Sequence, residues 1–275
     1  MRVKNRTKMP LVYLHGVVPV LVLALLASFP SAASADTCVG NCGTAGVDGV
    51  VPLSPTGNSS YQWVSTNLGL SGVGILPTGA LGEETNGSTL ASSLFSATAG
   101  DALSFYFNYT SSDGEEFADY AWAGLFNSSH TLQALLFTAR TTQSGNAVPG
   151  FGVPLPVATL TPSTVVINAG QTTWSPLGSS SGTCFIAVGQ GCGSTGWVLS
   201  DYTIPTAGDY YLQVGVVNWS DEAFDSGLAL DGVSIGGVPI GPPTPPTTTP
   251  EPASLAMLAC GLLGIGAFRR RSARQ

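Results

Sequence analysis

The stretch "DALSFYFNYT", residues 101–110, alternates without a break. Leu103, Phe105, Phe107 and Tyr109 fall on one side, and Ser104, Tyr106 and Asn108 on the other. A strand turns successive side chains to opposite faces, so this pattern reads as a half-buried strand. "FADYAWAGLF", "LQALLFTAR", "VATLTPSTVVI", "GWVLSDYTI", "DYYLQVGVVNW" and "GLALDGVSI" are further strand-like bursts, separated by Gly, Asn, Asp and Pro. Away from the two ends, no stretch holds a helical apolar period for three turns. Short strands joined by turn residues predict an all-β fold, an antiparallel β-sandwich with jelly-roll-like winding.

The two ends follow different rules. Arg2, Lys4, Arg6 and Lys8 precede a mostly apolar run over residues 11–26, and Ala33-Ser34-Ala35 supplies a small-x-small cleavage pattern before Asp36. Residues 1–35 therefore read as a secretory signal peptide, with everything after it exported. An uncleaved anchor is the alternative, but His15, Gly16 and Pro19 interrupt its apolar run. At the other end, residues 253–268 carry no charge. As a helix they would cover ~24 Å, short of the ~30 Å hydrocarbon core. Arg269, Arg270, Arg271 and Arg274 can snorkel at one interface and hold residues 269–275 on the cytoplasmic side. The expectation is one transmembrane helix with a basic cytoplasmic tail.

Pro250-Glu251-Pro252, the apolar run and the arginine cluster stand in that order at the end of the sequence. Together they resemble the PEP-CTERM sorting signal of Gram-negative bacteria. The resemblance implies recognition by an exosortase, a membrane-embedded cysteine transpeptidase or protease, and cleavage near Pro-Glu-Pro. It also implies a transient membrane anchor, then delivery to the cell surface or the exopolysaccharide matrix. The segment from "GSTLASSLFSATAGD" to "DGVSIGGVPI" resembles an ectodomain that recurs in PEP-CTERM proteins. Its "LALDGVSI" is similar to the last strand of carbohydrate-binding jelly rolls, in which an Asp often helps to hold a structural calcium. The expected organisation is a signal peptide (1–35), a β-sandwich (36–240), a Pro/Thr-rich spacer (241–249) and a sorting signal (250–275).

Charge narrows the partners. Residues 36–249 contain fifteen carboxylates and one arginine, Arg140, so this segment is near −14. Nucleic acid and anionic lipid would be repelled, whereas divalent cations would not. Asp113, Glu115, Glu116 and Asp119 form one acidic segment; Asp221, Glu222, Asp225 and Asp231 form another. Calcium takes six to eight oxygens, which loops at one end of a sandwich can supply. Asp225, Asp231, Asp221 and Asp119 are the expected ligands of a structural Ca2+, with solvated turns as the simpler reading. "TAGD" opens a strand at residues 98–101 and again at 206–209, and Asp113 and Asp221 each lie 15 residues after its Thr.

Cys38, Cys42, Cys184 and Cys192 lie in the exported segment, and Cys260 in the tail. An even count in an oxidising compartment favours disulfides, and the local pairs Cys38–Cys42 and Cys184–Cys192 are expected. A zinc site built from all four thiolates is the rival, without C-x-x-C spacing to support it. Tyr106, Tyr109, Trp122, Trp174, Trp197 and Trp219 either fill the core or stack on sugar rings; Trp122, Trp197 and Trp219 are the chosen stacking positions.

Catalysis has weaker signals. "GSSSG" at 178–182 matches G-x-S-x-G outside any strand–helix context, and His130 precedes its serine rather than following it. "GCGSTG" at 191–196 matches G-x-G-x-x-G without a βαβ unit. The expected protein is a non-enzymatic structural or adhesive component of the surface or biofilm matrix. A calcium-stabilised carbohydrate-binding module that meets extracellular polysaccharide is the alternative. A secreted glycoside hydrolase, needing only two carboxylates ~5–9.5 Å apart, is held in reserve.

Overall fold

The computed structural model describes residues 36–240. The signal segment, the spacer and the sorting signal, with the helix expected at 253–268, lie outside the described residues. Among the described residues no helix is long and apolar enough to cross a membrane. In chain order the strands are Thr37–Val39 (β1), Asn41–Ala45 (β2), Tyr61–Ser65 (β3), Leu70–Ser71 (β4), Glu84–Ala91 (β5), Phe95–Ala97 (β6), Ala102–Ser111 (β7) and Tyr120–Asn127 (β8). Then follow Leu132–Arg140 (β9), Thr159–Thr161 (β10), Asn168–Ala169 (β11), Gly193–Ser194 (β12), Val198–Thr203 (β13), Gly208–Trp219 (β14), Ser226–Ile235 (β15) and Val238–Pro239 (β16). Two 3-10 turns, Glu115–Phe117 and Ser175–Ser180, complete the regular structure.

The described residues are all-β and built as two antiparallel sheets, in line with the alternation. One sheet runs β1-β5-β14-β8-β9, with β4 on β5 and β6 on β14. The other runs β10-β13-β7-β15-β3-β2, with β11, β12 and β16 added at its margins. The predicted inward set of β7 is buried: Leu103, Phe105, Phe107 and Tyr109 are all at most 1% exposed. They meet Leu212, Val214 and Val216 of β14 and Leu136 and Phe137 of β9 in the central core. The Phe107 and Phe137 rings stack at 3.8 Å. A register shift at Ala123/Gly124 breaks the period of β9 and brings Leu136 and Phe137, neighbours in sequence, into the same core.

Each sheet is also covered on its outer face. Leu76, Tyr120, Trp122, Phe126 and Val217 form a second cluster, and Val51, Tyr61, Trp174, Leu177 and Ala229 a third. Asn108, expected on the open side of β7, is fully buried beneath β12, where Ser194 Oγ donates to its Oδ1 at 3.0 Å.

Both local disulfides are present, Cys38–Cys42 and Cys184–Cys192. The first spans the change of sheet: β1 pairs with β5 in one sheet and β2 with β3 in the other. Gly40 makes the corner at φ +92°, and a Cβ there would collide with Ser88 Oγ. The second pins a loop onto the acidic turn, where Glu115 N donates to Gln190 O and Phe185 N to Ser112 O. Opening the Cys184–Cys192 loop with a Cys184→Ala/Cys192→Ala pair is expected to cost about 2–3 kcal/mol. Calorimetry should show a fall of roughly 5–10 °C; an unchanged transition would mean the loop holds without its bond.

Candidate functional site

Two places on the sandwich combine chemistry with an unusual environment. The first is a groove of about 290 Å³ on the outer side of β2 and β3, lined by Asn41, Thr44, Asp48, Trp63, Asn67 and Ser175. Trp63 lies opposite Gly43 in the β2–β3 register. A Cβ on Gly43 would sit 2.6 Å from Cζ2 of the indole, so glycine makes the room for that ring. Asn41 Nδ2 donates to Asn67 O at 2.6 Å, which ties the edge strand to the end of β3. Asp48 accepts from Ser175 N and Ser175 Oγ, both at 3.1 Å, and so anchors the 175–180 turn beside the groove.

The second place is the end of the sandwich where β7 leaves for β8 and β14 leaves for β15. The fold brings Asp113 and Asp119 from one acidic segment close enough to Asp221 and Asp225 of the other for their charges to interact. The two TAGD strands lie in opposite sheets yet deliver Asp113 and Asp221 to the same end. Burial, reinforced by Asp221 and Asp225, pushes the Asp113 carboxyl up to about 8, despite the Gly114 N–H donated to Oδ1 at 2.7 Å. Its Oδ2 is buried with no partner among the described residues. Asp119 is fully buried and also pushed well above the carboxylate range, by burial first and Asp113 second. Phe185 of the disulfide loop meets Phe117 and Phe224 edge-on at 5.0 and 5.5 Å, placing an aromatic cap beside these acids.

As placed, the expected calcium ligands are engaged by protein donors. Asp119 accepts from Trp219 N and Ser226 Oγ; Asp225 accepts from Thr66 Oγ1 and Ser180 Oγ. Asp221 accepts from Ala223 N at 2.9 Å. Asp231 lies on β15, six residues beyond Asp225, which immediately precedes that strand, and so roughly 20 Å away at strand spacing. There it gathers Ser54, Thr56, Asn58 and its own neighbour Gly232 N. These donors take up part of each carboxylate's acceptor capacity. Among the described residues no three His, Cys, Asp or Glu side chains are arranged to hold a metal ion.

The expected stacking residues divide. Trp122 is 2% exposed, with its Nε1 donating to Gly74 O at 2.7 Å, so it offers no face to a sugar. The outer cover of the smaller sheet, which alternation does not reveal, is what buries it. Trp197 is half-buried, donates to Pro52 O and meets Tyr61 edge-on at 5.6 Å. Trp219 is half-buried under the Arg140 guanidinium, 4.7 Å from its ring. Tyr109 and Trp174 are core residues. Trp63 is absent from the sequence-based choice; its signal was the Tyr61-x-Trp63 spacing, which sets two aromatics on one face of a short strand. Ser180 of "GSSSG" bonds Asp225, while His130 Nδ1 pairs with the Tyr211 hydroxyl at 3.0 Å. The structure does not join that serine and histidine.

Residues 248–271 match the PEP-CTERM protein-sorting motif. This motif implies an exported protein sorted to the cell surface. No curated protein matches the chain in sequence. Distantly similar solved structures include the following two. The structure of TmCBM61 in complex with beta-1,4-galactotriose has 9% identity and a TM-score of 0.32, over 74% of this chain and 88% of that one. The crystal structure of the enzymatically active domain of bacteriophage CBA120 tailspike protein 4 has 9% identity and a TM-score of 0.30. That match covers 74% of this chain and 18% of the tailspike chain. Similarities this distant carry no argument about what this chain does.

Proposed function

We propose, with the sorting motif as premise, that this chain is a structural or adhesive protein of the cell surface or extracellular matrix. In this reading an exosortase cuts near Pro250-Glu251-Pro252, and residues 269–275 stay on the cytoplasmic side. The β-sandwich, which we read as jelly-roll-like, is what reaches the exterior, where it binds or builds rather than catalyses. The observation that carries this is the motif at 248–271. Two disulfides and a surplus of carboxylates suit an oxidising, aqueous exterior.

The test is the intact mass of the mature protein, taken separately from membranes and from the extracellular fraction. The expected species begins at Asp36, ends near Pro-Glu-Pro and is found outside the membrane. A species still carrying residues 269–275, confined to membranes, would overturn sorting and release. A second reading, a carbohydrate-binding domain, is favoured by the half-buried indole of Trp63, which lines a groove with polar side chains.

A further inference from the structure

We propose that the groove over Trp63 is a binding site for a neutral glycan, with one sugar ring stacked on the indole and its hydroxyls met by Asn41, Asn67 and Thr44. Trp122, Trp174 and Trp197 spend their indole N–H on Gly74 O, the Tyr61 hydroxyl and Pro52 O, and Trp219 shares its ring with Arg140. Trp63 does neither among the described residues, and it lines an open groove. It is a flat apolar plate with a spare donor on its edge, the combination that lets an aromatic residue meet a ligand both apolar and polar.

Short polar side chains surround that plate. The Asn67 amide has no side-chain partner among the described residues and lies against Gly178, where a Cβ would be 2.5 Å from it. Asn41 is held through its Nδ2, which leaves its carbonyl oxygen as an acceptor. The side chain of Thr44 is exposed beside them. Donors and acceptors of this kind orient a polyhydroxyl ligand.

Charge selects the class of glycan. The described chain holds one cationic side chain, Arg140, and it is on Trp219 rather than in the groove. Asp48 adds negative charge to the groove wall. An anionic polysaccharide or phosphate would meet repulsion with no counter-charge, whereas a neutral sugar meets none. The volume, about 290 Å³, is at the small end of ligand sites and holds roughly one or two sugar rings. The Cys38–Cys42 disulfide fixes the approach to β2, so the groove wall is pre-set before binding.

The inference rests on the surface-protein reading only for where a glycan would be met; binding is measured independently of sorting. Full-length protein in detergent would be run through native gels containing a neutral galactan, glucan or mannan, and through a polyuronate gel as the charged control. Retardation in at least one neutral gel is expected and none in polyuronate. Trp63→Ala should weaken binding at least tenfold, Asn67→Ala several-fold, and Trp63→Phe less than Trp63→Ala. Trp219→Phe, on the other sheet, should leave binding unchanged. Retardation by polyuronate alone, equal binding by Trp63→Ala and Asn67→Ala proteins, or no binding to any neutral polymer would each overturn the site. Should Trp63→Ala not fold, the Asn67→Ala and Trp63→Phe proteins decide. The intact mass of the same preparations tells failure of the site from failure of the sorting reading.

Discussion

Phe137→Ala is expected to be the most damaging single change in the sandwich, at about 3–5 kcal/mol. The ring is fully buried and stacks on Phe107 across the two sheets at 3.8 Å, with Phe105 a further neighbour at 6.1 Å. Truncation removes the aromatic contacts that β9 makes with Phe105 and Phe107 of the opposite sheet. The bulge that admits both Leu136 and Phe137 to the core leaves little freedom for neighbours to fill the space. Denaturant melts should show a lower midpoint with an unchanged slope. A loss under 1 kcal/mol would mean that the sheets are held together elsewhere. Phe137→Leu should recover a large part of the loss, since it returns much of the volume.

The second large effect is electrostatic. Asp113 has a folded pKa of about 8 against an unfolded value of about 3.9. The native state therefore binds more protons than the unfolded chain between these limits. The contribution of Asp113 is greatest below the unfolded value and is lost as pH rises through about 8, by up to about 1.4 kcal/mol per pH unit. Asp119 acts in the same direction, and the carboxylates of Asp221 and Asp225 set the repulsion. Glu84 acts oppositely. Burial pushes it up, but Leu81 N–H, the Tyr120 hydroxyl and Gly82 N–H outweigh that and hold it low. Its contribution disappears only in stronger acid.

Melting temperature should accordingly rise from pH 8 to pH 5. Asp113→Asn should gain about 1–3 kcal/mol at pH 8, where it removes a buried charge facing Asp221 and Asp225, and much less at pH 5. Thermal melts in EDTA across this range check both statements. A flat profile, or an Asp113→Asn protein less stable at pH 8, would remove the argument. If added calcium alone raised the pH 8 melting temperature to the pH 5 value, a cation rather than a proton would be relieving these carboxylates. The expected calcium role would then return at this end, through Asp113 as well as Asp119, Asp221 and Asp225.

How far the structure was legible differs from strand to strand. β7 and β14 could be read almost to their ends, because each puts large apolar residues on the core face at a period of two, whereas register shifts break that period in β9 and β15. β5 could not: "ETNGSTLA" is small and polar, yet residues 86–90 are buried. It is a strand because β1, β4 and β14 pair with it, and its polar side chains are satisfied by neighbours, Ser88 Oγ donating to Ser65 O and Asn218 Nδ2 to Asn86 Oδ1. The disulfides were legible because close cysteines in an exported chain have few choices. The depth of Trp122 was not, because loop residues distant in sequence supply its cover.

Local order in the chain therefore determined the all-β class, both disulfide pairs and the sorting address. Each of these depends on residues adjacent or a few positions apart, where period, spacing and charge act directly. Tertiary structure alone decided which tryptophan keeps an open side and which carboxylates lose their water. Both properties belong to surfaces assembled from distant segments: Trp63 takes its groove from residues 41–67 and 175–176. Asp113 takes its high pKa from burial, reinforced by acids more than 100 residues further along the chain. Burial and charge coupling are set by distance in space, and no spacing along the sequence measures that.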